Sequence, residues 1–166
     1  ERHLRRLELM AGLSHAQLSD VVGHLRPEHF SAGQTIFQRG AEGDALYLVD
    51  EGRVNLSGPT GSLATVESGG SFGEGGFLTA ETHDSDAVAL TDVTAWSLNR
   101  SDFEELALRH PVLALNFSRV VSRHLRESTQ RAATTVQVIQ APPLAPVPHQ
   151  TAAMTGASVG PNRAAG

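Results

Sequence analysis

At 166 residues and 40% apolar content, the chain suits one compact domain with a modest core and a tail. Its formal charge of −5 argues against nucleic-acid binding, no apolar run is long enough to span a bilayer, and no signal peptide is visible at the start. Cysteine and lysine are both absent, which excludes disulfides, thiol chemistry, a P-loop and Schiff-base catalysis.

The chain opens on Glu1 rather than Met and so reads as a piece of a larger protein, with a reducing cytoplasm as the default compartment. Residues 2–9 and 14–25 carry helical apolar spacing through Leu4 and Leu7, then Leu18, Val21, Val22 and Leu25. Ser14 is placed to cap the second helix, and Pro27 marks its end. From Phe30 to Asn99 the texture changes to short β segments: 35–38, 45–50, 53–57, 63–66, 85–90 and 93–98. Asp50-Glu51-Gly52 and Gly58-Pro59-Thr60-Gly61 read as the turns between neighbours. Short strands at this spacing predict a small barrel or roll.

Helix returns at Ser101, an N-cap with Glu104 three residues on, and runs to Arg109. Pro111 opens the next helix, which reaches about Arg131 and, on a longer reading, Gln140. Its apolar stripe is Leu113, Phe117, Val120, Val121 and Leu125. Residues 132–166 hold five of the eight prolines and a single charge, Arg163, the composition of a disordered tail or linker.

The most informative stretch is Phe72-Gly73-Glu74-Gly75-Gly76-Phe77-Leu78, preceded by Gly69 and Gly70. Glycine at this density lets backbone N–H groups converge on an anion, and the acid can accept from sugar hydroxyls. The stretch resembles the phosphate-binding cassette of the cyclic-nucleotide-binding domains, found in bacterial catabolite activator proteins, kinase regulatory subunits and gated channels. Upstream, Gly33-x-x-Ile36-Phe37-x-x-Gly40-x-x-Gly43-Asp44-x-Leu46-Tyr47-x-Val49-x-x-Gly52-x-Val54 is similar to the same family's glycine-turn pattern. The two matches cover roughly residues 3 to 131 in the family's order.

The resemblance implies an α+β fold: an eight-strand antiparallel, jelly-roll-like β-roll over 27–100, helices over 1–26 before it and over 101–131 after it. It implies that Phe72, Gly73, Glu74, Gly75 and Gly76 form a cyclic AMP or cyclic GMP site, with Glu74 on the ribose 2′-hydroxyl. The alternative for Glu74 is a turn cap. The family's phosphate-binding Arg aligns with His83, or with Asp84 if the loop slips by one, in Glu81-Thr82-His83-Asp84-Ser85-Asp86. Neither His nor Asp supplies the bidentate cationic fork of Arg, and neighbouring carboxylates repel phosphate. Ser85 remains as a hydroxyl beside the phosphate position. Ser128 and Thr129 occupy the positions of two hydroxyl residues that contact adenine in the bacterial activator, or are an ordinary hydroxyl pair on a helix.

The expected function is regulatory, in a fused or docked effector, with cyclic-nucleotide binding weak or lost; a working cyclic AMP or cyclic GMP sensor is the alternative. A homodimer through helix 111–131 is expected. No nucleic acid or membrane contact is expected from this segment, and no enzyme activity. Gly69-Gly70-Ser71-Phe72-Gly73 fits G-x-S-x-G but lacks the alternating α/β context of a hydrolase. His83, Asp84 and Asp86 resemble metal ligands only as a short polar run of the kind found in solvated loops.

Overall fold

The computed structural model describes residues 4–59, 61–79 and 81–139, with side chains through Arg131. Two four-stranded antiparallel sheets face each other. One has the order β1 (Arg26–Phe30), β8 (Val93–Asn99), β3 (Ala45–Glu51), β6 (Ser71–Phe72). The other has the order β2 (Thr35–Phe37), β7 (Asp86–Ala89), β4 (Arg53–Gly58), β5 (Gly61–Glu67). This is the eight-strand roll implied by the resemblance.

Side-chain alternation in β3 and β8 explains how the roll joins its helices. Tyr47, Val49, Val93 and Ala95 point between the sheets, against Phe37, Val54, Val66, Phe72, Ala87 and Ala89. Leu46, Leu48, Trp96 and Leu98 point the other way, into a second core with the helices. Both faces of these central strands are therefore buried.

The second core holds Leu4, Leu7, Leu9 and Met10 from two short 3₁₀ turns, Leu4–Arg6 and Glu8–Met10. A continuous helix over 2–9 was the expectation. These four apolar residues do not share one helical face, and the tighter turns let all four reach the core. The helix α1 (His15–Val22) follows, capped by Ser14 in a reciprocal box with Gln17. The strand β1 was missed because its residues are polar or half-exposed and include Pro27; an edge position tolerates both.

The cassette residues form a short helix, α2 (Glu74–Thr79). After β8 come α3 (Arg100–Arg109) and α4 (Pro111–Ile139). The cap of α3 is Asn99, whose Oδ1 accepts from Asp102 N at 2.9 Å, and not Ser101, which donates its hydroxyl to Asn99. The longer reading of the last helix is the observed one. Leu113, Phe117 and Val120 pack into the chain's own core, leaving Leu115 and Leu125 exposed on α4. The expected disordered tail begins at 132, but residues 132–139 continue α4; the remainder, 140–166, lies outside the described residues. No helix among the described residues is long and apolar enough to cross a membrane.

Candidate ligand pocket

A pocket of about 1360 Å³ opens between the β4–β5 hairpin, the cassette, residues 83–85 and α4. Local backbone chemistry shapes its floor. Gly73 adopts φ 89°, and a Cβ there would lie 3.0 Å from the Ala45 carbonyl oxygen, so only glycine allows α2 to start this close to β3. Arg100 holds α2 from below: its Nη2 donates to Gly76 O at 2.7 Å and to Gly43 O at 3.4 Å.

Seven of the ten sequence candidates line the pocket: Gly73, Glu74, Gly75, His83, Asp84, Ser85 and Ser128. Three do not. Phe72 is fully buried between the sheets and stacks on Tyr47 at 5.1 Å. Gly76 backs onto Gly43, where a Cβ would come within 2.9 Å of the Gly43 Cα, so its role is close packing. Thr129 donates its hydroxyl to Leu125 O on its own helix at 2.9 Å, while Ser128 lines the pocket.

The two alignments of the missing Arg are separated by geometry. The His83 ring is 5% exposed and stacks on Phe37 with centroids 3.6 Å apart and planes 4° from parallel. Burial pushes its pKa down, with Asp84 and Asp44 opposing. Its ring is taken up by the stack on Phe37, and burial disfavours its charged form. Asp84 instead lies against the first turn of α2; a Cβ on Gly75 would stand 3.4 Å from its Oδ2. Asp86, in the same run, accepts from Arg39 N at 2.8 Å and fastens a turn. Ser71 of the G-x-S-x-G run is 5% exposed and paired with Leu48 in β6, with no exposed elbow.

The sequence reasoning missed the residue that meets Glu74. His124 Nδ1–H donates to Glu74 Oε1 at 2.5 Å, and this bond raises the His124 pKa, with burial opposing. Glu74 Oε2 is buried without a hydrogen-bond partner among the described residues. The signal was available: His124 lies four residues before Ser128, on the same face of a helix. The same helix is fastened by Arg123 to Glu8 and by Arg131 to the Leu63 carbonyl. Pairing with Arg123 holds the Glu8 carboxyl below its ordinary range. Asn116 adds a buried tie, donating from Nδ2 to Leu9 O and Ala11 O at 3.0 and 2.7 Å.

Electrostatically the pocket is acidic. Glu8, Glu67, Glu74, Asp84 and Glu127 face Arg6, Arg123 and Arg131, an excess of two negative charges that falls to one when His124 is protonated.

Residues 27–110 match the cyclic nucleotide-binding domain family. The chain belongs to that family. It is 29% identical over 126 residues to an uncharacterised NTE family protein of Mycobacterium tuberculosis, covering 75% of this chain but only 22% of that protein's length. The crystal structure of Thermus thermophilus catabolite activator protein is similar at a TM-score of 0.69 and 30% identity, over 78% of this chain and 63% of that one. A regulatory subunit of a cAMP-independent protein kinase A from Trypanosoma cruzi, bound to guanosine, matches at a TM-score of 0.61 and 30% identity, over 69% of this chain and 41% of that one.

Proposed function

We propose that this domain regulates a larger protein and that its cyclic-nucleotide binding is weak or lost, because an acid stands where the phosphate would bind. The observation that carries this is Asp84: its carboxylate lies against Gly75, in a pocket with five carboxylates and three guanidinium groups. A cyclic monophosphate brings a permanent negative charge into that field, and neither position 83 nor position 84 supplies an Arg fork to receive it. One missing charge-assisted hydrogen bond weakens binding by about 1.5–3 kcal/mol, roughly ten- to a hundredfold, before repulsion is added. The small fraction of the NTE family protein that the chain covers supports a place beside an effector domain. The Trypanosoma cruzi subunit, a cAMP-independent relative of similar fold, supports a pocket not controlled by cyclic AMP. A homodimer through α4, with the exposed Leu115 at its centre, belongs to the same proposal. The domain itself is taken to be non-catalytic, any chemistry residing in the fused or docked effector.

The second reading, a working cyclic AMP or cyclic GMP sensor, would use Ser85 and the backbone N–H groups of the cassette, with Glu74 freed from His124. Titration calorimetry with both nucleotides separates the two. Wild type should bind neither below about 100 μM, and Asp84→Arg should gain at least about tenfold. Low-micromolar binding by wild type would establish the sensor and reject the proposal.

A further inference from the structure

The head of the pocket is built to receive hydroxyl donors. Glu74 Oε1 is taken by His124, but Oε2 is buried and lacks a donor among the described residues. A buried carboxylate oxygen without a donor is costly, so the site favours a ligand that supplies one. Asp84 flanks the same glycine, with both carboxylate oxygens 3.4–3.5 Å from the position of a Cβ on Gly75. Carboxylates only accept. Glu74 and Asp84 line one pocket and can accept from two neighbouring O–H groups, and Ser85 stands next to Asp84 as a further hydroxyl on the lining.

Part of the remaining wall is apolar. Leu78 and Leu125 are 53% and 68% exposed, and both line the pocket with Val66 and Val121. A flat base laid on these side chains would cover apolar surface that the fold leaves open. The acidic balance of the pocket counts against any phosphate on the same ligand. A 3′,5′-cyclic monophosphate has a second deficit: its 3′-oxygen is esterified, leaving one O–H of the 2′,3′-pair where a ribonucleoside offers both.

We propose that the pocket binds an uncharged ribonucleoside, its free 2′,3′-diol donating to Glu74 and Asp84 and its base lying against Leu78, Val121 and Leu125. This rests on the preceding reading of Asp84 as the group that removes the phosphate site. The diol takes the oxygen that His124 leaves without a donor, so ligand and His124 share the Glu74 carboxylate and occupancy is felt at α4.

Titration calorimetry of the whole chain with adenosine, guanosine, their 2′-deoxy forms, D-ribose and cyclic AMP tests it. At least one ribonucleoside should bind about tenfold or more tightly than its 2′-deoxy form and than cyclic AMP, the loss expected for one or two hydrogen bonds. Asp84→Ala should weaken that ribonucleoside by about tenfold or more while the thermal midpoint is retained. Equal binding of the deoxy form, ribose binding as tightly as the nucleoside, or an Asp84→Ala variant that binds unchanged would overturn the diol contact. Silence from every ribonucleoside, with Asp84→Arg binding cyclic AMP, would overturn this inference and leave the preceding proposal standing. Low-micromolar cyclic AMP binding by wild type would overturn both.

Discussion

Replacing His124 by Gln should lower stability most at acid pH. In the folded chain the Glu74 hydrogen bond raises the His124 pKa above its ordinary 6.5; burial and Arg123 oppose, and Glu127 adds to the rise. A raised folded pKa means that the extra stabilisation is complete below the unfolded value and is lost as pH climbs through the folded one. A hydrogen bond to a charged group contributes about 1.5–3 kcal/mol. Both side chains are partly exposed, 25% for His124 and 19% for Glu74, and screening brings the expectation to about 1–2 kcal/mol. For a domain of this size that is roughly 3–8 °C in the thermal midpoint. Melts of wild type and His124→Gln at about pH 5.5 and about pH 9 bracket the titration of imidazole. The other histidines are common to both proteins and cancel in the difference. That difference should be near its full size at the lower pH and clearly smaller at the higher one. A difference independent of pH, or none at all, would refute the ion-pair account of α4.

Gly52→Ala should destabilise by about 2–4 kcal/mol, because left-handed strain and overpacking act together; its φ is 95° and a Cβ would lie 2.3 Å from the Asp92 carbonyl oxygen. Urea unfolding measures this, and a loss below the assay error would contradict the turn geometry. His83→Arg should lower stability by about 2–4 kcal/mol, since it places a charge in the buried stack on Phe37. It should also give no gain in cyclic AMP affinity; a gain equal to that of Asp84→Arg would reverse the assignment of the two positions. Light scattering on wild type and Leu115→Glu tests the dimer: the expected outcome is a dimer converted to a monomer, and a monomer in both removes it.

The roll was legible because glycine turns and β-branched runs fix strand boundaries locally. Gly52, for instance, marks the β3–β4 turn through a φ that other residues resist. What escaped were elements defined by their neighbours. The strand β6 has only two residues and exists because Tyr47 and Leu48 pair with it. The cap of α3 slipped from Ser101 to Asn99, since either residue satisfies the local rule and only the strand end decides. At the site, the glycine-rich cassette was plain, but its charge balance depends on residues separated by long stretches of chain. Glu74 and His124 are 50 residues apart. One residue of loop register separates His83 from Asp84 at the glycine turn, and the stack of the His83 ring on Phe37, far upstream, is not written in the local sequence.

Asp84 is the group proposed to keep a cyclic monophosphate out of the pocket. An amide NMR titration of wild type and Asp84→Arg with cyclic AMP tests it at the residues concerned. The account predicts that the Gly73, Gly75 and Ser85 amides shift and saturate in the variant and stay in place in wild type. Saturating shifts at those amides in wild type, or none in a folded Asp84→Arg variant, would contradict it.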